Sequence, residues 1–134
     1  MDIDSTISDI NALHQKSNQA FQDKDMETYA AIFDYNFEFK GVDAKPVNLR
    51  DYKLDIQSLF KNSKSLETSH YRIKSSFEDG IFTEKIARKS VIIKSNLILL
   101  TKKETIQTEE VYHWKNVNGE WKVISIEVVL EEKY

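Results

Sequence analysis

The chain has 134 residues, 31% charged and 40% apolar, with seven Phe, six Tyr, two Trp, one Pro and no Cys. That length fits one domain over residues 1–134, and the aromatic content excludes a disordered chain. The missing Cys removes disulfides, iron–sulfur clusters, thiol catalysis and cysteine zinc sites. A net charge of −3, with bases such as Arg72, Lys74 and Arg88 scattered singly among apolar residues, argues for solvated strand faces over a nucleic-acid interface.

The first segment reads as a helix. Ile3, Ile7, Ile10, His14, Ser17 and Phe21 recur at four-three spacing, widened by Leu13 and Ala20, with Ser5 as the expected cap. His14 and Ser17 are polar groups on that stripe and face whatever the helix packs on. After a break at Asp23–Asp25, a second helix carries Met26, Tyr29, Ala30 and Phe33 on one face. Phe37 to Phe39 alternates as a brief strand that stops at Gly41. Asn48, two residues past Pro46 and three before Asp51, is a variant capping box. It opens a third helix bearing Leu49, Tyr52, Ile56, Leu59 and Phe60, through about Lys61.

From residue 66 the period falls from about 3.6 to 2. Tyr71, Ile73, Ser75 and Phe77 alternate with His70, Arg72, Lys74 and Glu78 up to a turn at Asp79-Gly80. Phe82, Glu84, Ile86, Arg88 and Ser90 form the next row, ending in Val91–Ile93. Residues Ser95–Glu104 are expected to be a loop or bend. Ile106–Trp114 and Glu120–Leu130 are the last two strands, joined by Asn118-Gly119, the strongest short hairpin signal available. Helices first and long antiparallel strands afterwards give an α+β domain. The acidic start, Met-Asp-Ile-Asp-Ser, lacks the positive charge of a signal peptide. No run approaches the ~20 apolar residues of a membrane span, Leu97–Leu100 being the longest leucine-rich piece, so a soluble cytoplasmic protein is expected.

This order of elements, with Gln22-Asp-Lys-Asp-Met-Glu-Thr-Tyr-Ala-Ala-Ile-Phe33 early and Trp114-Lys-Asn-Val-Asn-Gly-Glu-Trp-Lys-Val123 late, resembles the nuclear transport factor 2-like superfamily. It is most similar to the small bacterial SnoaL-like members, over nearly the whole chain. The resemblance implies a cystatin-like cone: a strongly bent mixed sheet around the first and third helices, enclosing a pocket, often dimeric through the outer sheet face. A covered outer face has separate support. Ile124, Ile126 and Val128 alternate along the last strand, with Val123 and Val129 on the other side, and apolar residues on both sides of a strand call for cover on both. The second side is covered by a partner sheet, or else by the third strand or the 95–104 loop folding over it. Ile124, Ile126 and Val128 are the dimer-face candidates.

The superfamily holds enzymes, ligand binders and interaction modules, so fold alone does not decide activity. Its ketosteroid isomerase pattern needs a Tyr on the first helix and a carboxylate base closing the first short strand. Those positions fall on Ser17 and near Gly41, with Asp43 two residues further, so the pattern is not matched. The pocket candidates are His14, Ser17, Arg88, Glu110, Tyr112 and Trp114. His14 is a potential general base, or else a core histidine bonded to a strand carbonyl or a Tyr hydroxyl. Glu84 and Arg88 share parity and form a buried pair or an anion site if their row faces inward; if Ala87, Val91 and Ile93 face inward, the two are solvated. Glu110, Tyr112 and Trp114 share parity and would line a pocket floor, with Trp114 the most structural of the three. His70 and His113 are expected to be exposed, and no metal or cofactor is expected. The leading expectation is a homodimer that binds a small apolar or amphipathic molecule. The alternatives are an isomerase, dehydratase or cyclase, with His14 as base and Glu110 or Asp43 assisting, and a protein-interaction module.

Overall fold

A computed structural model of the chain, describing residues 2–95 and 101–134, begins with helix α1 (Ile3–Gln22). Its cap is Asp2 and not Ser5: the Asp2 carboxylate accepts from Asp4 N at 3.1 Å and sits at the positive end of the helix dipole. The buried stripe is Thr6, Ile10, His14, Ser17 and Ala20, while Ile3 is exposed. The helix ends where Lys24 takes a left-handed φ of 58° and Asp25 N donates to Ala20 O at 2.8 Å. Asp25 then caps α2 (Met26–Ala30), accepting from Thr28 N at 3.2 Å. Phe33, expected on the face of α2, instead opens strand β1 (Phe33–Lys40). The reason is sheet pairing: Ile32 O already accepts from Val123 N at 2.8 Å, so the chain is committed to the sheet one residue earlier.

A two-residue strand, β2 (Val47–Asn48), leads into α3 (Leu49–Asn62), where Asn48 Oδ1 accepts from Asp51 N at 2.9 Å as the sequence spacing required. Four long strands follow: β3 (Ser63–Glu78), β4 (Ile81–Ser95), β5 (Thr101–Val117) and β6 (Glu120–Lys133). They complete one sheet in the order β2-β1-β6-β5-β4-β3, antiparallel at every step except the parallel β1–β6 pair. Thr101–Glu104 are thus strand, paired with residues of β4, where a loop was expected. Ser95, where that expected loop began, is the last residue of β4 and pairs with Thr101, and residues 96–100, including Leu97–Leu100, lie outside the described residues. Both predicted hairpins are present, with φ of 52° and 78° at Asp79-Gly80 and 54° and 88° at Asn118-Gly119. Two successive positive φ values give the type I′ turn that matches strand twist.

The faces of the sheet are set by irregularities that alternation does not reveal. Strand β4 runs against β5 without a break, so Phe82, Glu84, Ile86, Arg88 and Ile92 all point inward. Strand β3 slips by one residue at Ile73. Its inner row is Leu66, Thr68, His70 and Arg72 before the slip and Ser75 and Phe77 after it, leaving Tyr71 and Ile73 exposed on the outside. Strand β6 slips at Ile124 and again at Val129. Each extra residue reverses the side to which the following side chains point. As a result Val123, Ile126 and Val128 share the inner face, and Ile124 is only half-buried at the bulge. The expectation that Ile124, Ile126 and Val128 share an outer face is therefore corrected: Ile126 and Val128 belong to the core.

The curved α+β sheet wraps α1 and α3. Ile10, Tyr52, Ile56 and Phe60 from the helices pack on Phe33, Phe37, Phe82, Ile86, Trp114, Val123 and Ile126 from the strands. No helix among the described residues is long and apolar enough to cross a membrane.

Candidate functional site

Helix α1 presents a polar edge to the sheet. Asn11, His14 and Asn18 recur at three-four spacing, one turn apart, and meet charged residues of β3 and β4. Two separate networks result.

The inner network centres on Glu84, which is 1% exposed. Its Oε2 accepts from Trp114 Nε1 at 2.7 Å and lies 2.6 Å from His14 Nε2, while Oε1 accepts from Arg72 Nε at 2.8 Å. Burial opposes ionisation of Glu84, but the hydrogen bond and charge of His14, the Arg72 guanidinium and the Trp114 N–H outweigh it and hold the carboxyl below its ordinary range. An ionised carboxylate only accepts, so His14 Nε2 donates. Arg72 also donates to Asn11 Oδ1 at 2.8 Å and lies over the Phe82 ring at 5.6 Å. The basic residue read from sequence as solvated is thus a structural cation. His14 is enclosed by three rings, those of His70, Tyr112 and Trp114, at centroid distances of 4.5, 5.1 and 5.2 Å.

The outer network centres on Arg88, whose side chain is 15% exposed. Nε donates to Glu110 Oε1 at 3.2 Å, Nη1 to both Asn18 Oδ1 and Thr68 Oγ1 at 2.9 Å, and Nη2 to the Tyr112 hydroxyl at 3.2 Å. Glu110 Oε2 accepts from Thr108 Oγ1 at 2.6 Å. Burial works against the Arg88 charge, but Tyr112, Glu110 and Tyr29 around it raise its pKa, so it stays a cation. Asn18 joins this network to His70: with its Oδ1 facing Arg88, its Nδ2 donates to His70 Nδ1 at 2.9 Å. Burial, aided by the charges of His14 and Arg88, lowers the His70 pKa to about 4. His70 was expected at the surface; it is half-buried because the β3 bulge comes after it and leaves it on the inner row. His113 is also half-buried, on the outer face, bonded to Ser125 Oγ at 2.9 Å.

Beside the Arg88 network lies a cavity of about 230 Å³. Phe21, Phe39, Ile56, Leu59, Ile92, Ile106, Ile126 and Val128 form its apolar wall, and Ser17, Asn18, Thr68, Arg88, Thr108, Glu110 and Tyr112 its polar corner. Tyr29 and Tyr52 add a hydroxyl pair 2.8 Å apart, and exposed Glu131 marks the rim. Burial pushes the hydroxyls of Tyr112 and Tyr52 well above their ordinary range, so both keep their protons.

Of the six residues singled out from sequence, Ser17, Arg88, Glu110 and Tyr112 line this cavity, and His14 and Trp114 do not. Asp43 is exposed in the turn after β1, with φ of 54°, and takes no part. Sequence reasoning missed Asn18, Arg72 and the Tyr29–Tyr52 pair. The three-four spacing of Asn11, His14 and Asn18 was the available signal for the first. Among the described residues no three His, Cys, Asp or Glu side chains gather as a metal site.

No protein-family model matches the sequence, and no curated protein matches it either. Solved structures match in fold. A scytalone dehydratase-like protein from Novosphingobium aromaticivorans superposes with a TM-score of 0.83 at 13% identity, covering 97% of this chain and 88% of that one. A nuclear transport factor 2-like protein of unknown function from Shewanella oneidensis gives 0.72 at 10% identity, covering 93% and 99%. A cystatin-like domain from Nostoc punctiforme gives 0.70 at 13% identity, covering 91% and 75%. The chain has the nuclear transport factor 2-like, cystatin-like fold, and at these identities the likeness concerns fold alone.

Proposed function

We propose that the protein binds a small amphipathic molecule in the inner cavity. The observation that carries this reading is the segregated lining, an apolar wall facing one corner in which a buried arginine is already neutralised by Glu110. Such a wall supplies contact area, and a few fixed polar groups supply orientation. Native mass spectrometry of gently purified protein tests it. The expected result is a discrete retained mass that is lost on Ile126→Phe, which fills the cavity from the β6 side. If neither a retained mass nor thermal stabilisation by small amphiphiles is found, the reading fails; a ligand at a hundredfold excess over its Kd stabilises by about 2.7 kcal/mol.

The same reading includes a cytoplasmic homodimer formed through the outer sheet face. Support comes from the register, which aligns Tyr71, Ala87, Glu109 and Leu130 in one row across four strands, with Tyr71 68% and Leu130 41% exposed. The outer apolar residues are thus Tyr71, Ile73 and Leu130 in place of Ile126 and Val128.

A second reading, an isomerase, dehydratase or cyclase, is favoured by the 2.6 Å His14–Glu84 contact, which would orient the imidazole as a base. Against it, Glu84 and His14 lie outside the cavity lining. Loss of turnover on His14→Ala with the fold retained would favour this second reading.

A further inference from the structure

One side-chain amide couples the half-buried His70 to the cavity, and its polarity can be assigned. Arg88 Nη1 can only donate, so the Asn18 atom 2.9 Å from it is Oδ1. Nδ2 of the same amide then faces His70 Nδ1 at 2.9 Å and donates to it. That bond requires a bare Nδ1, hence a neutral imidazole with its proton on Nε2. Turning the amide over would set donor against donor at Arg88 and lone pair against lone pair at His70. If His70 carried protons on both nitrogens, no orientation of Asn18 would satisfy His70 and Arg88 together.

The surroundings favour that state. His70 faces His14 on α1 and Arg88 across the β3–β4 pair, with Arg72 on its own strand and Glu84 on β4. Burial, then the charges of His14 and the two guanidiniums, outweigh Glu84 and keep the ring uncharged at neutral pH. Asn18 and Arg88 line the cavity, whereas His70 does not. On the premise that the cavity is a binding site, we propose that His70 is a positioning residue for it: its bare Nδ1 sets the Asn18 amide, and the Asn18 oxygen in turn sets Arg88. Asn18 Oδ1 and Thr68 Oγ1 hold Nη1, which turns Nε toward Glu110 and Nη2 toward Tyr112. His70 thereby shapes the polar corner without touching what binds there.

Nitrogen-15 NMR of the whole protein at neutral pH reads the tautomer directly. A proton on Nε2 with Nδ1 bare is expected; a proton on Nδ1 would overturn the proposal and leave the ligand-binding reading standing. Asn18→Asp exchanges the donor for an acceptor at equal size. It should draw a proton onto Nδ1 and raise the His70 titration midpoint by about one to three pH units, and an unmoved midpoint would overturn the proposal too. Binding is read by calorimetric titration with benzyl alcohol, one ring with one hydroxyl, and with toluene, which lacks the polar group. His70→Phe keeps a ring beside His14 but removes the acceptor, whereas His70→Asn returns an acceptor oxygen near the place of Nδ1. His70→Phe is expected to weaken benzyl alcohol about three- to tenfold and to leave toluene within about twofold, with most of the loss recovered in His70→Asn. Equal loss of both probes, no loss for benzyl alcohol, or no recovery in His70→Asn would overturn the positioning role alone. Failure of both probes to bind the unsubstituted protein would overturn the binding reading with it.

Discussion

Replacing Glu84 by Leu tests whether the inner network holds the cone together. Leucine matches the carboxylate side chain in size but leaves His14 Nε2–H and Trp114 Nε1–H, both in fully buried side chains, without acceptors. Each stranded donor costs about 1–3 kcal/mol. Arg72 loses its counter-ion as well, at a smaller cost, because its side chain is 20% exposed and regains water. Removing the carboxylate also relieves its own desolvation, so the net loss is about 3–5 kcal/mol. For a chain of this size that lowers Tm by roughly 9–15 °C. Glu84→Gln keeps one acceptor oxygen and falls in between, at about 2–3 kcal/mol. Chemical denaturation and thermal melting followed by Trp fluorescence would read both variants. A loss below about 1 kcal/mol for Glu84→Leu would refute the argument, since it would mean that the buried donors find other partners at no cost.

Two further outcomes follow from the geometry. Because the folded pKa of His70 is depressed to about 4 from 6.5, the unfolded chain binds more protons between those values. The stabilisation is complete above pH 6.5 and is lost as pH falls toward 4; after discounting for solvent screening it amounts to about 1–2 kcal/mol. Glu84, whose pKa is lowered, adds a loss in the same direction at still lower pH. A pH series of unfolding curves should therefore show stability falling below pH 6.5, and His70→Gln should flatten the upper part of that fall. At the β5–β6 hairpin, Gly119→Ala places a Cβ at φ 88° and should cost about 1–2 kcal/mol, measured by the denaturation midpoint.

Much of this fold was legible because local rules and tertiary structure agree. Asn48 before Asp51, Asp79-Gly80 and Asn118-Gly119 mark their cap and turns by chemistry that needs no distant partner. The parities of Glu84 with Arg88 and of Glu110 with Tyr112 also survived, because β4 and β5 pair without a bulge. What failed was the face assignment on β3 and β6. Ile73, Ile124 and Val129 are β-branched residues favourable to regular strands, and nothing local marks them as bulges. The outer-face argument for Ile126 and Val128 fell with that parity. Partners were equally hidden. Arg72 looked like one more scattered base until β3 placed it beside Glu84, and Arg88 meets Glu110 only through a pairing register that sets it opposite Thr108.

The two buried ion pairs serve different ends, and a double substitution separates them. The two fully buried donors beside Glu84, His14 Nε2 and Trp114 Nε1, both end on its carboxylate, and neither Glu84 nor His14 reaches the cavity, so that network positions strands and helix. The Arg88–Glu110 pair borders the cavity with a donor to spare. A buried pair replaced on both sides by apolar residues of similar volume commonly leaves stability unchanged or raises it by about 1–4 kcal/mol, whereas removing one partner costs about 3–5 kcal/mol. Arg88→Met alone should therefore destabilise strongly, and Arg88→Met with Glu110→Leu should recover most of that loss while abolishing retention of the small molecule in native mass spectrometry. Recovered stability with lost retention of the small molecule assigns the pair to recognition. If the double variant stays as unstable as Arg88→Met, the pair is structural like its neighbour, and the polar corner is not a built binding site.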